Sequence, residues 1–232
     1  MKIAIFVYNG MTMLDAIGPY EVLSNLPNVE VFFVAKKKGL IKADTGFLTI
    51  KVKDNFKDVQ KADVLIIPGS SISFIDVMKD EKTLAWINLI NETTKFTTAV
   101  SSGAVILAKT GLLKGLHATS HWKTVPLLKE YEAIFKTDRV VRDGKFITSA
   151  GVSAGIDMAF MLCDEIVGED ATRAIQLVIE YDPKPLYNSG NKENCDDDVI
   201  EKAEEIIKNN VKREMGFFKQ LSNRKVLNKM KQ

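Results

Sequence analysis

The chain has 232 residues, with 32 Lys and Arg against 30 Asp and Glu and a formal net charge of +2. With 46% hydrophobic and 27% charged residues it has the make-up of an ordinary globular protein, long enough for one well-buried α/β domain with extensions. The near balance of charge leaves no footprint for nucleic acid or an acidic partner, and no apolar run approaches the roughly 20 residues that span a bilayer.

The N-terminal run Ile3-Ala4-Ile5-Phe6-Val7-Tyr8 is short and meets Asn9-Gly10, which predicts a first strand over 2–8 and not a signal segment. Asp15 follows, flanked by apolar residues, just before an expected helix carrying Tyr20, Val22 and Leu23. Two readings stand for it: a helix cap, or a carboxyl aimed into the crevice above the first strand, where open α/β sheets collect ligands. Residues 29–35 alternate as a second strand, and 40–53, with Asp44-Thr45-Gly46 in the middle, read as a hairpin-like excursion. Asp63-Val64-Leu65-Ile66-Ile67-Pro68-Gly69-Ser70 predicts a buried parallel strand ending in a tight turn, with the Ser70 amide pointing into the crevice. Residues 80–93 read as an amphipathic helix.

The stretch 96–108 organises the chain. Phe96-Thr97-Thr98-Ala99-Val100 is β-branched and apolar, Gly103-Ala104-Val105-Ile106-Leu107-Ala108 is small and aliphatic, and the change falls at Ser101-Ser102-Gly103. A sharp strand-to-helix turn there lifts Ser101 into a crevice, the geometry of a nucleophile elbow; the plainer reading is a serine N-cap on a buried helix.

Gly111 and Gly115 mark the end of that helix, and 123–131 is expected to be helical. His117 and His121 are the two histidines, so any His-dependent chemistry uses one of them; no supporting ligand cluster accompanies their spacing, and neither a metal site nor a cofactor is expected. Residues 139–149 predict a hairpin around Asp143-Gly144, followed by a long apolar helix to about Val167, another over 169–181, a linker over 182–194 and a last helix over 196–219 with an acidic start, then a polar tail. Cys163 reads as a core residue and Cys195 as an exposed one, without redox or metal spacing, which makes a reducing cytoplasm the simplest compartment. Strands alternating with helices predict a three-layer sandwich on a mostly parallel sheet.

Read together, Leu14-Asp15-Ala16-Ile17-Gly18-Pro19-Tyr20-Glu21-Val22, Ile67-Pro68-Gly69, the elbow, Gly111-Leu112-Leu113-Lys114-Gly115, Ala118-Thr119-Ser120-His121-Trp122 and 149–159 resemble the DJ-1/PfpI (ThiJ/PfpI) superfamily, most of all its isocyanide hydratase-like branch. The resemblance spans most of 1–190. It implies a flavodoxin-like three-layer α/β/α sandwich, class I glutamine amidotransferase-like, over 1–190, with a C-terminal helical extension over 191–232. It further implies a homodimer and a small-molecule substrate, with no nucleic acid or membrane partner. In that branch a cysteine at the elbow attacks the terminal carbon of an isocyanide, a nearby carboxylic acid at the position of Asp15 moves the proton, and water releases an N-substituted formamide. By the same resemblance Ser101 holds the nucleophile position, Asp15 is the general acid/base, and Gly69, Ser70, Ser102 and Gly103 border the substrate.

The departure is at position 101, where Ser stands in place of the branch's Cys. A thiol ionises readily near neutral pH, whereas a serine hydroxyl needs a strong adjacent base. Three readings remain: a Cys→Ser replacement in an otherwise active hydratase, a native serine in a ligand-binding or stress-related relative without the chemistry, or a native serine nucleophile.

Overall fold

A computed structural model describes residues 1–218 of the chain. In order they form β1 (Lys2–Phe6), α1 (Met13–Leu23), β2 (Glu30–Ala35), β3 (Gly39–Lys42), β4 (Thr49–Val52), β5 (Asp54–Asn55), β6 (Val64–Ile67), α2 (Phe74–Lys79), α3 (Glu81–Thr93) and β7 (Phe96–Val100). There follow α4 (Gly103–Lys109), β8 (His117–Ala118), α5 (Val125–Glu130), β9 (Ile134–Phe135), β10 (Val140–Asp143), β11 (Phe146–Ser149), α6 (Ala154–Val167), α7 (Glu169–Val178) and α8 (Asp197–Phe218).

Ile3, Ala4 and Ile5 of β1 and all of β6 are completely buried because helices cover both faces of the sheet, which is why these strands are continuous apolar runs and do not alternate. The seven-stranded sheet has the order β10-β11-β7-β6-β1-β2-β5. Its pairings are parallel except for β10, which turns back on β11 through Asp143-Gly144. Helices α1, α6 and α7 pack against one another as one layer, and α2, α3 and α5 gather on α4 as the other. This is the flavodoxin-like three-layer α/β/α sandwich. The antiparallel pair β3–β4 is the expected excursion.

The chain leaves β1 through α1 to β2 on one side, while β6 lies on the other side of β1. The order of strands therefore reverses between β1 and β6, and the crevice beyond their carboxyl ends is where such sheets bind ligands. Behind it, Phe56 stacks on Trp86 with centroids 4.3 Å apart, and the Trp86 indole N–H donates to the Val59 carbonyl at 2.9 Å.

Helix α2 has no counterpart in the sequence reading, which runs from the strand at 63–70 straight to a helix at 80–93; α2 and α3 are distinct helices separated by Asp80. The helix expected over 123–131 is split into a 3₁₀ turn at Trp122–Thr124 and the short α5. The last helix begins within a residue of its expected start. Ile207, Val211 and Met215 of α8 pack on the core at helical spacing, with Glu214 fully buried among them. The polar tail expected beyond it lies outside the described residues.

Candidate active site

Ser101 has φ of 58°, a left-handed conformation that a β-carbon disfavours. Three hydrogen bonds hold it there. Its N–H donates to the Ser149 carbonyl at 3.1 Å, and its own carbonyl accepts from Ala104 N–H at 3.2 Å and from Ser120 Oγ at 2.8 Å. Strand β7 enters, helix α4 leaves, and the strained residue is the corner between them, as a nucleophile elbow requires. The serine N-cap reading does not describe what Ser101 or Ser102 does. Ser102 stands at the N-cap position of α4, but its side chain makes no capping bond. Ser102 Oγ instead accepts from Ser70 N–H and donates to the Ser70 carbonyl, both at 2.9 Å. The Ser70 amide is therefore engaged with Ser102 and does not point free into the crevice.

Two glycines make this contact possible. A β-carbon on Gly69 would fall 2.5 Å from Ser102 Oγ and 2.7 Å from its backbone nitrogen, and one on Gly103 would fall 2.1 Å from the Ile67 carbonyl oxygen. The turn after β6 and the elbow after β7 are thus pressed together backbone to backbone, with no room for side chains between them.

Asp15 lies in the first turn of α1, inside the helix and not at its cap, which is Thr12. It is fully buried, and Gly69 N–H donates to its Oδ2 at 2.9 Å. Its Oδ1 has no hydrogen-bond partner among the described residues. Burial raises its carboxyl well above the ordinary carboxylate range; the Gly69 bond opposes this, and the negative Asp44 adds to it. Gly69 therefore touches both halves of the site, Asp15 through its amide and the elbow through its bare Cα.

His121 is neutral, its pKa lowered to about 4 by burial and by the nearby Lys123. Its Nδ1 accepts Lys123 N–H at 3.2 Å, which leaves the proton on Nε2, so the ring is a donor and a poor base. His117 is taken up elsewhere, with Nδ1 3.0 Å from Asp143 Oδ2. Cys163 is buried, its thiol pushed up to about 12, and Cys195, expected exposed, is half-buried. A cavity of about 440 Å³ lies among the carboxyl ends of β1 and β2 and helix α2, lined by Tyr8, Lys36, Ser73, Asp76 and Asp80 among others; neither Ser101 nor Asp15 lines it.

One buried carboxylate carried no signal in the sequence. Glu214 of α8 accepts Ser73 N–H on Oε1 at 2.7 Å and Ile72 N–H on Oε2 at 3.2 Å, on the turn that leads from Gly69 and Ser70 into α2. Its place in an amphipathic helix gives it as one acid among many, and only the docking of α8 singles it out.

The sandwich and its strained strand-to-helix corner define a flavodoxin-like α/β protein. The model of the DJ-1/PfpI family matches residues 1–165. Isonitrile hydratase of Pseudomonas putida is 37% identical over 203 residues, 88% of this chain and 88% of that protein. The crystal structure of a ThiJ/PfpI family protein from Pseudomonas syringae superposes with a TM-score of 0.85 at 34% identity, covering 93% of this chain and 89% of that one. Schizosaccharomyces pombe DJ-1 shares the fold, with a TM-score of 0.69 at 17% identity over 79% of this chain and all of that one (100%). The chain belongs to the DJ-1/PfpI family.

Proposed function

We propose that the protein is isocyanide hydratase-like, with residue 101 at the nucleophile position and Asp15 as the acid that moves the proton. The observation that carries the reading is Asp15. A buried carboxyl shifted by its burial toward the protonated form, held by one N–H and with its second oxygen unpartnered among the described residues, suits a general acid. In this reading the nucleophile adds to the terminal carbon of the isocyanide, the Asp15 carboxyl supplies the proton, and attack by water breaks the bond to the nucleophile and frees the N-substituted formamide. The 37% identity to isonitrile hydratase across most of both chains supports the substrate class.

With Ser101 the nucleophile lacks activation. Burial shifts Asp15 toward its protonated form, which accepts no proton, and His121 is a poor base with Nδ1 engaged. This favours the second reading, a non-catalytic ligand-binding or stress-related relative, for the chain carrying serine. The test is a paired assay of the chain and its Ser101→Cys variant with a simple aryl isocyanide, following loss of substrate and gain of formamide. The proposal expects turnover by the cysteine form at least about 100-fold above the serine form, the scale set by replacing a hydroxyl with an ionisable thiol. Failure of both forms to make formamide would leave the binding reading in its place. Family resemblance also supports a homodimer, which sedimentation of the full chain reads, and the two free cysteines fit a reducing cytoplasm.

A further inference from the structure

If Asp15 and position 101 are the reacting pair, one fully buried carboxyl among the described residues is left without a role. Glu214 comes from the far end of the described chain, 141 residues after Ser73, and spends both carboxylate oxygens on two adjacent backbone N–H groups. Those amides belong to the turn between Gly69 and α2, at the N-cap Ser73 and the residue before it. Local residues were available to cap it. Ser73, at the N-cap position, makes no capping bond. Ser70 Oγ takes the Phe74 N–H, at 2.6 Å.

The same turn sets the site. Gly69 N–H holds Asp15, the Gly69 carbonyl accepts Thr12 N–H at 2.9 Å, and Ser70 holds Ser102 beside the elbow. At its other end α8 is tied to the opposite wall. Glu204 pairs with Lys123, next to Thr124, whose hydroxyl shares a hydrogen bond with Ser120, and Ser120 in turn holds the Ser101 carbonyl. Glu204 and Glu214 are ten residues apart, about 15 Å along a helix. Helix α8 therefore spans from the segment that supports Ser101 to the turn that supports Asp15. Glu214 also faces Tyr8 after β1 and Asp44 after β3, and a β-carbon on Gly10 would fall 2.9 Å from its Oε1, so its seat is closely walled.

We propose that Glu214 is a positioning residue: by holding the Ile72 and Ser73 amides it fixes the turn whose Gly69 and Ser70 amides orient Asp15 and Ser102. The proposal rests on the reading of Asp15 and residue 101 as the site. It is tested in the full chain with Glu214→Ala and Glu214→Gln, by amide exchange at Gly69, Ser70, Ile72 and Ser73 and by NMR titration of the Asp15 carboxyl. Glu214→Ala is expected to lower protection about tenfold at Gly69 and Ser70 as well as at Ile72 and Ser73. It also raises the midpoint of Asp15 as the Gly69 bond weakens. Glu214→Gln, which keeps an acceptor, falls between Glu214→Ala and the parent. In the Ser101→Cys background, Glu214→Ala lowers kcat about tenfold with little change in KM.

Loosening confined to Ile72 and Ser73, with Asp15 titrating as before, would make Glu214 a local cap and overturn the proposal. Should the alanine variant not fold, an unchanged Asp15 midpoint and parent-like protection at Gly69 in Glu214→Gln overturn it equally. A Ser101→Cys protein that makes no formamide, while Gly69 and Asp15 still respond to Glu214, would end the hydratase reading and leave the positioning role standing.

Discussion

Ser101 shows how one residue can be set against its own backbone. Its φ of 58° suits glycine, and three hydrogen bonds from β11, α4 and Ser120 keep a side-chain-bearing residue there. A glycine at this corner would be more comfortable and would present nothing to the crevice. Ser101→Ala and Ser101→Gly both remove the hydroxyl, and only the second removes the strain. Ser101→Gly is therefore expected to be more stable than Ser101→Ala by about 1 kcal/mol in urea melts, the typical strain of a non-glycine residue in this region less the backbone entropy of glycine. Equal midpoints, or a less stable glycine variant, would mean that the corner stores no strain. The elbow was legible in the sequence because its parts are sequential: a β-branched run, two serines, then a glycine and small aliphatic residues. The fate of the Ser102 hydroxyl was not legible, because its partner is Ser70, 32 residues earlier and on another strand's exit.

At the scale of elements, the contact that matters is between the ends of β6 and β7. Gly103 sits where a methyl group would lie 2.1 Å from the Ile67 carbonyl oxygen, and backbone on both sides leaves nothing flexible to yield. Gly103→Ala should cost about 2–4 kcal/mol, since the neighbouring chains must part and take the Ser70–Ser102 bonds with them. That is a fall of several degrees in the thermal midpoint for a chain of this size. A variant within about 1 °C of the parent would show that the two exits are not in rigid contact. The element count was mostly readable from sequence, because buried parallel strands and amphipathic helices differ in period and length. Helix α2 escaped for a physical reason. At six residues it is too short to show a period, and the amides at its start are held by Glu214 and Ser70 and not by Ser73, the serine at its N-cap position. Asp15 stood out in the sequence as a carboxyl among apolar residues, but its burial and its bond to Gly69 follow from the pairing of β1 with β6, which no local pattern encodes.

Across the whole molecule, three buried groups make stability depend on pH in opposing ways. Burial raises Glu214 from 4.5 to about 7 and raises Asp15 well above 3.8, so between those values and the folded ones the folded chain holds protons that the unfolded chain has lost. Each of these carboxyls therefore makes stability fall as pH rises through its window. His121 is lowered from 6.5 to about 4, so between pH 4 and 6.5 the unfolded chain holds the extra proton and stability rises with pH. Asp58 and Asp143 are lowered from 3.8 and lose their contributions only in stronger acid, outside this range. Glu214 and His121 thus offset each other between pH 4.5 and 6.5, each with a slope of about 1.4 kcal/mol per pH unit at full protonation difference, and Asp15 leaves a residual fall with rising pH. The parent should lose stability as pH rises between pH 4.5 and 7. His121→Asn, whose amide oxygen can still take the Lys123 N–H, removes the opposing term and should steepen that fall between pH 4.5 and 6.5. Glu214→Gln should flatten it over the same interval, and Asp15→Asn should reduce the fall that remains. Denaturant melts of the four proteins at half-unit steps of pH read all three effects together. A slope like the parent's in both His121→Asn and Glu214→Gln would mean that neither group changes its protonation when the chain unfolds, and the closely walled seat of Glu214 would then be wetter than its complete burial implies.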